Sequence, residues 1–321
     1  MALRRRNLLT GLVALASTPT WASTTAPVLQ RIKVVTVGAP NVDTFVAWYQ
    51  ALGFRAAERG TISTALARSW GTPKSAGRSY VLLRAGAPDF YVRAVETDAV
   101  ASYRAPTTTG WNAFEFVVKD VNATYEKVKA SPFEVIAAPK SLGGKFASIV
   151  AMQAKGPAEE VLYLTMDTGD PTKSSLPQAQ SDIDRVFIAI LAGREMRAME
   201  GFYRQTFGLT EGTSFDMPVK NLARPLGVPD DHVFPLLLRR AGKAANNIEF
   251  DEYPATAPDR PRATGQLPPG NAMVSFTVAR LDDIVAPFAG PAAVGKGLAY
   301  GQRRCATVIG PTGELIELIE E

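Results

Sequence analysis

The chain has 321 residues, 46% of them hydrophobic and 21% charged, which suits a globular protein large enough for two domains with cores of their own. One cysteine excludes an internal disulfide framework and a cysteine-rich metal site, and one histidine excludes any site built on two, such as the 2-His-1-carboxylate iron site and the usual zinc triads. Setting aside the three arginines of residues 1–22, which contain no acids, takes the net charge from +4 to +1, so the balance makes no case for nucleic acid or an anionic membrane surface.

Residues 1–22 read as an export signal. Arg4-Arg5-Arg6 is the charged start, Leu8 to Ala16 the short apolar run, and Thr20-Trp21-Ala22 the cleavage end. Arg5-Arg6-Asn7-Leu8-Leu9 fits a twin-arginine pattern, and the apolar run is too short to span a bilayer. The expectation is an exported protein, periplasmic or extracellular, with no membrane attachment after processing. The alternative is a basic tail.

The next elements predict strand, helix and then three strands. Arg31 to Val37 is a strand, and Asn41-Val42-Asp43 can cap a helix to about Leu52, with Phe45, Val46, Trp48, Tyr49 and Leu52 as its apolar stripe. Gly53 stops that helix, Phe54 opens a strand, and Ser79 to Ala85 and Phe90 to Val95 follow. The order repeats with a strand from Asn112 to Val118, a helix from Val121 to Ala130, and strands over Phe133 to Ala137, Ala147 to Gln153 and Val161 to Met166. Polar, Gly-, Pro- and Ser-containing residues then mark a linker, placed at 168–181.

The second half echoes the first. Gly156-Pro157-Ala158-Glu159-Glu160-Val161-Leu162-Tyr163-Leu164 returns as Gly310-Pro311-Thr312-Gly313-Glu314-Leu315-Ile316-Glu317-Leu318. Arg31 to Thr36 aligns with Arg185 to Ile190, Trp48 to Phe54 with Phe202 to Leu209, Leu82 to Gly86 with Leu238 to Gly242, and Gly110 to Val118 with Gly270 to Val278. Matches at nearly constant offset imply duplication. The fold class is therefore α+β: four βαβββ units grouped as two tandem pairs, domain 1 over residues 23–167 and domain 2 over 182–321.

The Phe-Tyr helix ending in a Gly turn, followed later by a Gly-Pro-x-Gly turn and an x-Glu-Leu strand, resembles the glyoxalase, bleomycin-resistance and extradiol-dioxygenase superfamily, the vicinal oxygen chelate fold. The resemblance covers residues 28–321, and Phe202 to Leu209 and Gly310 to Leu318 carry it best. It implies cupped mixed sheets that usually hold a divalent metal, with ligands from the first and last strand of each unit. By resemblance the last-strand positions are Arg93, Tyr163, Glu249 and Glu317, and the first-strand positions Arg31, Ala113, Arg185 and Met273. Of these eight only Glu249 and Glu317 are plausible metal ligands, so the set departs from the family pattern.

Two cups follow, one from each domain. In the first, Arg31 and Arg93 can hold a substrate carboxylate by a two-pronged hydrogen bond, with Tyr163 as a neutral donor and Trp111 as a stacking wall. The bland alternative pairs both arginines with acids at the rim. In the second, Glu249 and Glu317 share a cavity with Arg185 between them. Repelling buried carboxylates give a general acid or base, and the arginine steadies an enolate-like charge. The alternatives are a structural Arg185–Glu ion pair, or a hard cation such as Mg²⁺ on Glu249 and Glu317. Glu317 lies in a strand apolar on both faces, Leu315 to Ile319, and must therefore find a partner.

The function these readings predict is that of an isomerase or lyase, metal-independent or atypical, acting on a small oxygenated and anionic organic molecule, with no cofactor required. The rivals are a non-catalytic protein that sequesters a small ligand, and a metal-dependent glyoxalase or dioxygenase. No nucleic-acid partner is expected, and the assembly is a monomer or homodimer.

Overall fold

The computed structural model describes residues 27–174, 176–242 and 246–321; the expected export signal at 1–22 lies outside them. The first unit contains β1 (Ile32–Ala39), α1 (Val42–Ala51), β2 (Arg55–Thr61), α2 (Thr64–Ser69), β3 (Ser79–Arg84) and β4 (Tyr91–Glu96). The second contains β5 (Gly110–Val118), α3 (Val121–Lys129), β6 (Glu134–Ser141), β7 (Ile149–Lys155) and β8 (Val161–Asp167). The third contains β9 (Ile183–Gly193), α4 (Met196–Phe207), β10 (Gly212–Pro218), α5 (Lys220–Ala223), β11 (Val233–Arg240) and β12 (Asn247–Glu252). The fourth contains β13 (Gly270–Val278), β14 (Ala293–Val294), β15 (Arg304–Ile309) and β16 (Leu315–Glu320). Its expected helix is reduced to one 3-10 turn, Leu281–Asp283, because Pro287, Gly290 and Pro291 break any continuation.

The units combine differently from the expectation. Sheet I has the order β14-β15-β16-β13-β1-β4-β3-β2 and joins the first unit to the fourth; sheet II, β10-β11-β12-β9-β5-β8-β7-β6, joins the second to the third. The central antiparallel seams are β1 with β13 and β5 with β9. Each curled sheet therefore takes one unit from each half of the chain, which corrects the reading of one cup per half.

Local sequence explains the recurring pieces. The Asn41 side chain accepts from the Thr44 amide at 2.8 Å and starts α1; Gly53, at φ 92°, follows its end. In each Gly-Pro turn a glutamate folds back beneath the glycine: Ala158 N donates to Glu160 and Thr312 N to Glu314, both at 2.8 Å. A Cβ on Gly156 or Gly310 would sit 1.8 Å from that carboxylate, so the motif requires glycine for space. The buried Tyr203 of α4 donates to Glu314 at 3.1 Å; Tyr49 of α1 is the matching residue near Glu160, but its hydroxyl makes no hydrogen bond among the described residues.

Helices α1, α3 and α4 lie on the inner sides of the sheets. Phe45, Tyr49, Tyr203 and Phe207 join Val35, Val92, Phe114, Phe116, Phe276 and Leu318 in one large core drawn from both sheets. Trp111 Nε1 donates to Leu315 O at 2.8 Å, and the Asn271 side chain accepts from Val161 N at 2.9 Å and donates to Val161 O at 3.2 Å. These bonds tie the sheets together where peptide groups would otherwise be buried unpaired. The concave faces point away from this core and carry separate clusters. Among the described residues no helix is long and apolar enough to cross a membrane.

Candidate functional site

Strand parity decides what each cup contains. In sheet I, β4 presents Tyr91, Arg93 and Val95 to the concave side and β16 presents Leu315, Glu317 and Ile319, while Val92, Ala94, Ile316 and Leu318 enter the inner core. Arg93 lies beside Thr36 on β1, and Glu317 beside Ser275 on β13. Glu317 is 0% exposed and Arg93 1%. Arg93 donates from Nη2 to Glu317 at 2.9 Å, from Nε to Thr36 Oγ1 at 3.0 Å, and from Nη1 to the Tyr300 hydroxyl. Glu317 also accepts from Trp70 Nε1 at 2.6 Å, from the Tyr300 hydroxyl at 2.7 Å and from the Ser275 hydroxyl. The guanidinium stacks 4.6 Å from the Trp70 ring centre.

Every lone pair that Glu317 needs to satisfy is thus occupied, and its charge is balanced by Arg93. A carboxylate so engaged is a poor proton acceptor for a substrate. The same network fills the base of cup I, and α2 and Trp70 plug much of the rest with Leu66, Ala67 and Cys305. What remains open is a cavity of about 360 Å³ between α2, Tyr80, Leu82 and residues 294–300, with Arg93 and Tyr300 on its wall.

Cup II carries the opposite electrostatics. Its central row runs from Leu238 to Glu249 and Ile190, then from Ile188 to Glu115, Tyr163 and Gln153. Glu249 and Tyr163 occupy the last-strand positions that Arg93 and Glu317 hold in sheet I. Asp251, two residues along β12, shares the face of Glu249. Burial and the neighbouring Asp251 push the Glu249 carboxyl well up from the usual carboxylate range. Burial and the charge of Glu249 raise Glu115 to about 8, and burial and Glu115 raise Asp251 to about 7. Tyr163 is held well above its ordinary range by burial and by Asp251, so it remains a phenol. Asp251 Oδ1 is buried without a hydrogen-bond partner among the described residues, whereas Glu249 and Tyr163 are half-buried. Apolar walls come from Ile136, Ile188, Ile190 and Leu238, with Leu176 and Ala179 of the connecting segment packed against them. Across the rim, Asn221 donates to Gln153 at 3.0 Å and the Phe146 and Phe215 rings meet at 5.9 Å.

Several expected residues fall elsewhere. Glu317 and Glu249 lie on different sheets, so they form neither a catalytic pair nor a metal pair. Arg185 sits at the outer end of β9, 3.9 Å from Asp184, and reaches neither. Arg31 precedes β1 and forms rim ion pairs with Glu321 and, at 3.6 Å, with Asp89. Trp111 is buried in the core between the sheets and is no stacking wall. Arg93 and Tyr163 do face concave surfaces, but of different cups. The side-chain parity of β5 and β9 departs from the expectation because both strands are largely apolar on both faces and are joined through three irregularities, which shift parity without a sequence mark.

Reading the sequence alone missed Glu115, Asp251, Trp70 and Tyr300. Glu115 stands between Phe114 and Phe116 in an unbroken apolar strand, and Glu249 and Asp251 alternate with Ile248 and Phe250. Both patterns mark inward carboxylates. Leu66-Ala67-Arg68 recurs as Leu222-Ala223-Arg224 and could have revealed α2 and α5 as equivalent plugs.

A fold of this kind often carries a metal, but among the described residues the donors do not form a ligand set for one. Cup I offers a single carboxylate already bound to a guanidinium. Among the described residues no three His, Cys, Asp or Glu side chains are placed to hold a metal ion.

No family model and no curated protein matches the chain. Solved structures do resemble it. Glyoxalase I from Zea mays aligns over 90% of this chain and 92% of its own at 14% identity and a TM-score of 0.59, and a mutant of that enzyme scores 0.61 with the same identity and coverage. A Bacillus subtilis protein named as a candidate dioxygenase aligns over 91% of this chain and 86% of its own, at 14% identity and a TM-score of 0.57. At such identity the likeness establishes the fold, and the chemistry must come from the side chains.

Proposed function

Given that the chain has the tandem vicinal oxygen chelate fold, we propose that cup II acts on a small oxygenated organic molecule by moving a proton at a carbon next to a carbonyl, as an isomerase or lyase does. The observation that supports this is the placement of Glu115, Glu249 and Asp251 on one concave face, with no cation between them among the described residues. Burial and mutual repulsion raise all three acids, Glu115 to about 8 and Asp251 to about 7, so that one can accept a proton while its neighbour still holds one. In the reaction a carboxylate of the cluster takes the C–H proton and the electron pair moves onto the carbonyl oxygen. The Tyr163 hydroxyl donates a hydrogen bond to that oxygen. The proton then returns to another carbon, or a group beta to the carbonyl departs with the electron pair.

The acid lining favours a neutral substrate in cup II over the anionic one expected from the sequence. Incubation in deuterated water with a panel of neutral hydroxyketones and lactones should show deuterium entering the carbon beside the carbonyl. Glu249→Gln should slow that exchange about 10²-fold or more, the usual range for a general base, with the fold retained. Exchange at the wild-type rate in both Glu249→Gln and Glu115→Gln would reject the cluster as the base.

A second reading rests on the cavity of about 360 Å³ beside Arg93 and Tyr300. With Glu317 and Arg93 both engaged in their own network, cup I suits reversible capture of a small uncharged ligand without turnover. In that case neutral ligands bind, and no substrate exchanges deuterium.

We also propose export by the twin-arginine route, on the pattern Arg5-Arg6-Asn7-Leu8-Leu9. Changing Arg5 and Arg6 together to lysine should leave the precursor in the cytoplasm; unchanged export of that variant would overturn the route.

A further inference from the structure

We infer that the seam between the two sheets contains a binding site for a small oxyanion, separate from both cups and independent of the chemistry proposed for cup II. A cavity of about 320 Å³ opens where β5 and β13 begin and where β9 and the turn before β16 end. Three arginines line it: Arg194, Arg260 and Arg262.

Arg260 is positioned as a built donor. Its Nε donates to Thr108 Oγ1 at 3.1 Å, its Nη1 donates to Asn271 O at 2.6 Å, and its guanidinium lies 5.1 Å from the centre of the Tyr103 ring. These contacts fix the plane of the group and leave Nη2 buried with no hydrogen-bond partner. A guanidinium nitrogen without an acceptor is costly to bury, so Arg260 gains by turning Nη2 toward an oxyanion in the cavity it lines. Arg194 lies across the cavity, held by Ala257 O and Asp259 Oδ1, both at 2.7 Å. Arg262 stands exposed at the rim, with no ion pair among the described residues.

The acids present do not neutralise this set. Asp259 pairs with Arg194 and is largely exposed. Glu314 turns its carboxyl to Thr312 and Tyr203, and burial pushes it up toward the neutral form. Three guanidiniums against the two carboxyls of Asp259 and Glu314 leave positive charge in excess over a cavity larger than a single phosphate or carboxylate group. The ligand class is a small molecule bearing a carboxylate or phosphate, recognised by planar two-pronged contacts. Because the walls come from β5 and β9 on one side and β13 and the Pro311–Glu314 turn on the other, the bound anion would clamp the two sheets together.

The test uses the full chain, with inorganic phosphate and citrate as probes and chloride as the control at constant ionic strength. Calorimetric titration should show saturable binding of one equivalent of phosphate or citrate, with a rise in Tm that follows ligand concentration. A preference for one probe identifies the group carried by the natural ligand. Arg262→Ala, at an exposed position, should fold normally and weaken binding about tenfold, and Arg260→Gln should abolish it. Absence of saturable binding to the wild type would overturn the site. So would equal affinity in the wild type and Arg262→Ala together with retained binding in Arg260→Gln.

Discussion

Arg93→Met should lower the unfolding free energy by about 3–5 kcal/mol, the usual cost of leaving one partner of a buried ion pair uncompensated. The variant keeps Trp70, Tyr300 and Ser275 as donors to Glu317 but strands its charge at a site 0% exposed. Pairing Arg93→Met with Glu317→Leu removes both charges and should recover at least half of the loss. Urea denaturation of the wild type, the single variant and the double variant measures all three. A loss below about 1 kcal/mol for the single variant, the value of an exposed pair, would mean that water reaches the network and that its closed description is wrong. Glu317→Gln separates structure from chemistry: it should reduce stability and leave any deuterium exchange in cup II intact, because Glu317 lies on the other sheet.

Stability should fall as the pH rises from about 5 to 9. Glu115 and Glu160 are raised to about 8 and Asp251 to about 7, with burial the first cause for each, and Glu249 and Glu314 move in the same direction. A carboxyl whose folded pKa lies above its unfolded value binds more protons in the folded state between the two values. The derivative of stability with respect to pH is then negative across that window. The contribution is fully present below the unfolded pKa and is lost as the pH passes the folded one. Each such group contributes up to about 1.4 kcal/mol per pH unit while it titrates. Glu115→Gln cannot ionise, so it should flatten the decline between about pH 5 and 8. Tm measured across the range in wild type and variant tests this; a stability that rises with pH, or an unchanged slope in Glu115→Gln, would contradict the electrostatics assigned to cup II.

What could be read from sequence was local or repeated. The α1 cap at Asn41, the Gly-Pro turns and the burial of Glu317 follow from residue type and alternation within one short stretch. The duplication was legible because matching pieces recur at nearly constant offset. The pairing of units was not, since β1 is equally apolar beside any partner strand and nothing in it names β13. The partners of Glu317 were hidden for a related reason. Trp70 and Tyr300 lie on connections outside the repeated motif, and Arg93 was expected beside Arg31, which salt bridges hold at the rim. Glu115 was legible in principle, as an acid between two phenylalanines in an otherwise apolar strand.

The way the sheets draw on distant units bears on how the chain assembles during synthesis. Sheet II is made from consecutive units, so its seam can close as soon as β9 has emerged. Sheet I cannot: Arg93 and Glu317 are 224 residues apart, and the edge of β1 stays unpaired until β13 arrives. In that interval the first unit presents an open strand edge and an unneutralised guanidinium on an apolar face, the features that favour wrong pairing in nascent chains. Closure of sheet I is thus a late and long-range step, and β16, which follows the other strands of that sheet in the chain, carries the carboxylate that completes it.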